Sequence, residues 1–299
     1  MSEITITEGE FRLPDGVAVY QKTWSPPIPK AKLVHFHGFS DHINNSNELF
    51  TNLAQQGIHV SGIDQRGWGR SAPTKASRGN TGPTPFILAD LASFIKSQQS
   101  EIYPDLPLFI SGHSMGGGLV ATLASTPEYQ PLVSSFRGII LLAPLIGLTP
   151  MQTPSSVTVF LGRLAGKLLP HHQLTQRMKI ESIARDPDVQ TMLRSDPLNH
   201  GTGTLEMFAA MLDRTADLSS GKLVLQDGVR SVYLAHGNAD GCTSFEASRK
   251  WFDSQTGGML QGDKCFKEYD GWCHVLHLDS KDNRKTYADD LAGWILGRE

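Results

Sequence analysis

Short apolar runs alternating with helix-spaced segments constrain this chain more than any other feature of its sequence. The runs Leu33 to His37, Ile58 to Ile63, Leu108 to Ile110 and Gly138 to Ala143 have strand length. Between them, apolar residues recur at helical spacing: Leu49, Phe50 and Leu53, then Ile87, Leu91, Phe94 and Ile95, then the stretch after Met115. Strands separated by helices need crossover connections, and these give a parallel sheet covered by helices on both faces. The pattern resumes with Val232 to Ala235 and Cys265 to Tyr269, and a last helix is expected over about residues 287–296. Ahead of it all, Ile4, Thr5, Ile6 and Thr7 alternate, Pro14-Asp15-Gly16 turns, and Val17, Val19 and Tyr20 return, which predicts a hairpin.

The alternation stops between Gly147 and Leu218. No strand is evident there, and Val157, Phe160, Leu161, Leu164 and Leu168 recur at helical spacing. The expected organisation is therefore a core formed by residues 1–146 and 219–299, with a helical lid inserted over 147–218. Five of the eight methionines lie in the insertion, and flexible thioethers suit either a core gap or a pocket for a flexible apolar ligand. From Met151 to Ile180 every ionised residue is basic (Arg163, Lys167, Arg177 and Lys179), and they lie beside the apolar stripe. That combination fits contact with an anionic membrane or lipid-droplet surface.

Composition narrows the function classes. With 39% hydrophobic residues and a net charge of −3 over 299 residues, the chain has neither a disordered composition nor the basic excess of a nucleic-acid binder. The longest apolar stretch, Gly138 to Leu148, contains a proline and falls short of the roughly 20 residues a membrane-spanning helix needs. The polar, acidic start lacks the pattern of a secretory signal, so a cytoplasmic location with reversible surface attachment is expected. Cys242, Cys265 and Cys273 form no disulfide framework and no CxxC pair, so free thiols are expected, with no metal and no cofactor.

The segment that carries chemistry is Ile110-Ser111-Gly112-His113-Ser114-Met115-Gly116-Gly117, a G-x-S-x-G between a strand and a helix. Glycine and serine frequencies alone predict about 0.2 such pentapeptides, so the strand-turn-helix context is what gives the match its weight. A sharp turn there would lift the Ser114 hydroxyl above the sheet, with the following helix pointing its positive end at developing charge. A serine needs a base, and in this architecture the order is Ser, then Asp or Glu, then His. Asp240 follows the Val232 strand and His274 follows the strand ending near Tyr269, both at carboxyl ends where such sites are built. Asp270 rivals Asp240 but is better placed to form a turn, and His277 rivals His274. His236 and His113 read as structural residues packed under the turns. Oxyanion donors are expected from the amides of Met115, next after the serine, and Phe39, in the loop after the first parallel strand.

With those residues in place, the chain resembles the α/β-hydrolase superfamily and, within it, the monoacylglycerol lipase family. The likeness rests on His37-Gly38 with Asp41-His42, on Asp64-Gln65-Arg66-Gly67-Trp68-Gly69-Arg70-Ser71 and on the Ser114 turn. It continues in Ser195-Asp196-Pro197-Leu198, the Asp240 loop and His274-Val275-Leu276-His277. The resemblance implies an α/β-hydrolase fold with a helical lid, and hydrolysis of monoacylglycerols to fatty acid and glycerol through an acyl-enzyme. By the same analogy Asp64 and Arg66 brace their loop, Asp41 and His277 line the polar end that receives glycerol, and the acyl chain lies in an apolar tunnel under the lid. A broader esterase or lysophospholipase is the alternative, with a non-catalytic ligand-binding member of the fold behind it.

Overall fold

The computed structural model describes residues 3–100, 102–256 and 262–298. Strands β1 (Thr5–Arg12), β2 (Ala18–Ser25), β3 (Ala31–Phe36), β4 (Ile58–Ile63), β5 (Leu108–His113) and β6 (Gly138–Leu142) are followed by β7 (Gln173–Thr175), β8 (Thr202–Thr204), β9 (Val232–Gly237) and β10 (Lys264–Tyr269). Helices α1 (Asn47–Gln55), α2 (Thr84–Ser100), α3 (Met115–Ser125), α4 (Gln130–Val133), α5 (Ser156–Leu168), α6 (Pro187–Ser195), α7 (Leu205–Ser219), α8 (Phe245–Ser254) and α9 (Lys281–Leu296) connect them. The main sheet runs β1-β2-β4-β3-β5-β6-β9-β10. It is parallel from β4 to β10, and the expected hairpin forms its antiparallel edge, Arg12 opposite Ala18.

Period-two packing explains why helices cover both faces. Along β5 and β6, Leu108, Ile110, Ile139 and Leu141 enter the core under α2, α3 and α8, while Phe109, Ile140 and Leu142 enter the one under α1 and α9. Each such side chain, fully buried, contributes about 1.5–3 kcal/mol. Carboxyl ends of β3, β5, β9 and β10 therefore open on one rim.

Residues between β6 and β9 differ from the sequence reading in one respect. Besides helices α5, α6 and α7, they hold the short antiparallel pair β7–β8, where no strand was expected. Three-residue strands leave no apolar run to read. Segment 173–204 closes on itself there, and Thr204 N–H donates to Gly79 O at 3.2 Å. Helix α9 also starts earlier than expected, because its first turns are polar and exposed and the apolar spacing begins only where it reaches the core at Tyr287.

Candidate active site

The Ser114 turn is strained and packed shut. Its residue adopts φ 53° and ψ −118°, a positive-φ geometry that costs of order 1–3 kcal/mol outside glycine. Two glycines make it possible: a Cβ on Gly112 would stand 2.3 Å from Gly116 O, and one on Gly116 would stand 2.1 Å from Phe36 O. Backbone bonds hold the turn, with Ser114 N–H donating to Leu142 O at 2.9 Å and Leu145 N–H donating to Ser114 O at 2.8 Å.

The facing loop, residues 37–45, is tied from several sides. His37 Nδ1 donates to Gly38 O at 2.8 Å while its Nε2 accepts the Gln65 N–H at 2.9 Å, so the ring uses both nitrogens as a neutral imidazole. Burial, the largest influence, likewise pushes the His37 pKa down. Asp41 Oδ1 accepts the His42 N–H at 2.8 Å and the Asn45 amide at 2.6 Å. Asp64 bonds the Ile43 and Arg70 amides at 2.8 and 2.7 Å, and Arg66 joins Asp15 to Asp90, so both brace their loop as expected. Neither the amide of Phe39 nor that of Met115 donates to any group among the described residues, and both residues line a cavity with Ser114.

Asp240 and His274 meet. His274 Nδ1 donates to Asp240 Oδ2 at 2.7 Å, whereas Asp270, the rival acid, accepts from Asn238 in the turn after β10. Asp240 Oδ1 accepts the amides of Cys242 and Thr243 at 2.7 and 3.0 Å. Burial would raise this carboxyl, but the His274 charge and the hydrogen bonds from His236 and His274 outweigh it and hold it well below the usual carboxylate range. Ser114 and His274 line one cavity, and no hydrogen bond joins Oγ to the ring among the described residues. His277, in a 3₁₀ turn, and Asp41 line the same cavity. His113 sits under the turn and donates from Nε2 to His274 O at 3.1 Å. The structure departs from expectation at His236: it packs under its turn but also reaches Asp240, with Nε2 3.0 Å from Oδ2.

Two cavities join at Ser114, Phe39, Gln176 and Met178. One of about 290 Å³ is walled by Leu145, Leu148, Leu205, Phe208 and Met211; the other, of about 610 Å³, is the more polar of the two, with Asp41, Arg78 and His277 beside Ile180, Leu193 and Leu278 in its wall. Arg78, Arg177 and Lys179 border the polar cavity without an ion-pair partner among the described residues, while Arg194 pairs with Glu181 and His42 with Asp196. Residues from the insertion close over the site: Gly241 N–H donates to Ser182 O and Val275 N–H to Ile183 O, both at 3.0 Å. Their neighbours Ile183, Val189 and Leu193 pack on Cys242 and Leu278.

Sequence reasoning missed Gln65, whose amide also donates to His37 O at 2.7 Å, and the three unpaired cations. Gln65 lay inside a stretch already marked by the resemblance. Nothing local flagged the cations as neighbours.

Known proteins share the fold and the family of this chain. Residues 27–281 match the family described as Hydrolase_4, serine aminopeptidase, S33. A putative monoglyceride lipase of Schizosaccharomyces pombe is 30% identical over 93% of this chain and 71% of its own length. Monoglyceride lipase of Rattus norvegicus is 26% identical over 95% and 88%. A crystal structure of a soluble variant of monoglyceride lipase from Saccharomyces cerevisiae, in complex with a substrate analogue, superposes with TM-score 0.85 at 24% identity, covering 99% of this chain and 96% of that one. The chain belongs to this serine aminopeptidase S33 family of α/β-hydrolases, in which its relatives include the monoglyceride lipases.

Proposed function

We propose that the protein hydrolyses long-chain monoacylglycerols, with Ser114 as nucleophile, His274 as base and acid, and Asp240 as the carboxylate that orients His274. The observation that carries this reading is the meeting of an apolar and a polar cavity at Ser114, beside two amides that lack partners. An acyl chain fits the apolar side and a glycerol head the polar side, which puts the ester carbonyl at the serine.

Ser114 Oγ attacks that carbonyl as its proton passes to His274 Nε2, and the new oxyanion accepts from the amides of Phe39 and Met115. Collapse breaks the bond to glycerol, whose oxygen takes the proton from His274. Water then gives a proton to His274 and its oxygen to the acyl carbon, and as the acyl–Oγ bond breaks His274 passes that proton to Oγ, releasing the fatty acid and restoring Ser114. The Ser114–His274 bond forms in the substrate complex, where catalytic hydrogen bonds commonly tighten. Asp41 and His277 supply polar contacts to the head group.

Residues 147–218 act as the lid. The Val157, Phe160, Leu161, Leu164 and Leu168 side chains of α5 are 50–73% exposed, so this helix offers an apolar stripe beside basic residues to a membrane or lipid-droplet surface. Among the described residues no helix is long and apolar enough to cross a membrane.

A lysophospholipid is the second reading, favoured by Arg78, Arg177 and Lys179 at the polar cavity, which would pair with a phosphate. The same cations disfavour an aminopeptidase substrate, whose free α-amino group they would repel. Relative kcat/KM over a long-chain monoacylglycerol, a lysophospholipid, a short p-nitrophenyl ester and an aminoacyl amide decides among them. The monoacylglycerol is expected to lead; a lysophospholipid lead selects the second reading, and a flat profile favours a general esterase.

A further inference from the structure

Asp240 carries more hydrogen bonds than a triad carboxylate needs. Besides the two amides on Oδ1, Oδ2 receives His274 Nδ1 at 2.7 Å, Thr243 Oγ1 at 2.8 Å and His236 Nε2 at 3.0 Å. Two imidazoles thus converge on one oxygen. His236 is the penultimate residue of β9, is fully buried, and packs edge-on against Phe245 with ring centroids 5.7 Å apart.

The ring's protonation follows from its surroundings. A carboxylate oxygen only accepts, so Nε2 of His236 carries a hydrogen. Nδ1 is buried and has no partner among the described residues, so a second hydrogen there would be an unpaired buried donor. The ring is therefore a donor aimed at Oδ2. Thr243 reinforces it: Oγ1 lies 2.8 Å from Oδ2, 3.3 Å from each imidazole and 3.1 Å from Ala143 O, on the segment that holds the Ser114 turn through Leu145.

We propose that His236 is a positioning residue: its Nε2–H fixes the plane of the Asp240 carboxylate and keeps that group ionised while His274 is charged. Without this bond, Oδ2 can rotate off the His274 Nδ1–H line, and in so dry a site the carboxylate becomes a stronger base toward that hydrogen. Both effects act on the charged transition state and leave substrate contacts alone, so kcat falls and KM does not. The role rests on the triad reading above.

The test replaces His236 with Phe, Asn and Gln and measures kcat, KM and melting temperature on a soluble ester. Phe keeps a ring of similar size without the donor, Asn keeps an amide too short to reach Oδ2, and Gln puts its amide nitrogen where Nε2 stood. Expected is a kcat loss of about 10- to 100-fold for Phe and Asn with KM within about twofold, the range seen when a supporting hydrogen bond behind an active-site group is removed, and recovery of most of that loss by Gln. If Phe does not fold, Asn against Gln decides. The proposal is overturned if Phe or Asn matches the parent, if Gln is as impaired as Asn at equal melting temperature, if KM moves in place of kcat, or if Asn and Gln both fail to fold. Ser114→Ala is measured alongside. Turnover by that variant would remove the serine-hydrolase reading itself, whereas an inactive Ser114→Ala beside unimpaired His236 variants removes only the role of His236.

Discussion

The turns around Ser114 and the helix α5 above them are built on opposite rules. In the turns the key groups are held from several sides: His37 uses both ring nitrogens, Asp240 accepts five hydrogen bonds, and the glycines at 112 and 116 leave no room for a methyl group. On α5, by contrast, the largest side chains face solvent, and Arg163 pairs with Asp213 of α7 through exposed side chains. On the proposed function, rate would be set where geometry is fixed, and access to substrate where apolar surface is left uncovered.

The sharpest break in that comparison is Asp240→Asn, which strips His274 of its orienting charge. Activity is expected to drop about 10⁴-fold, while Asp270→Asn, altering only an exposed turn, stays within about twofold of the parent. Steady-state kinetics on a soluble ester checks both, and equal losses would mean the acid has been misassigned. Next in size is the double variant Leu161→Ser, Leu164→Ser. It is expected to sediment several-fold less with anionic liposomes and to lose activity on vesicle-borne monoacylglycerol, with the soluble ester unaffected. Unchanged sedimentation ends the docking role of α5.

The smallest effect tests what joins the two regions. Arg185 of the insertion bonds Asp279 beyond the His274 turn at 2.8 and 2.5 Å. Burial opposes ionisation of Asp279, but the bonds from Arg185 and Asn283 prevail and lower its pKa. A lowered carboxyl contributes stability that is whole above its unfolded pKa and drains as pH falls through the folded value. Arg185→Met is therefore expected to cost less than about 1 kcal/mol near neutral pH, because the guanidinium is partly solvent-screened, and the difference from the parent should shrink steadily as pH falls from neutral through the acid range below the usual carboxylate value. Denaturant melts across that range measure it, and a gap that widens on acidification contradicts the assignment.

Most of the sheet was legible because buried parallel strands are largely apolar on both faces: β6 is so throughout, β5 over Leu108–Ile110, and β3 is interrupted only by Lys32 and His35. Ser114, Asp240 and His274 were legible as candidates because each sits in a turn that follows the carboxyl end of a strand at the same rim. The β7–β8 pair was not, since Gln173-Leu174-Thr175 and Thr202-Gly203-Thr204 owe their conformation to each other and to Gly79. Nor was the reach of His236 to Asp240: a strand end fixes where a ring starts, but the fold of residues 237–240 brings the carboxylate back to it. The unpaired cations Arg78, Arg177 and Lys179 come together only through the folding of the insertion over the core, which no local pattern records.

The central claim is that Ser114 is the activated nucleophile, and a fluorophosphonate label mapped by peptide mass spectrometry tests it most directly. A single adduct on Ser114 is expected, with Ser114→Ala unlabelled and its turnover reduced about 10⁴-fold or more. An adduct on another residue, or near-parental turnover by Ser114→Ala, would contradict it.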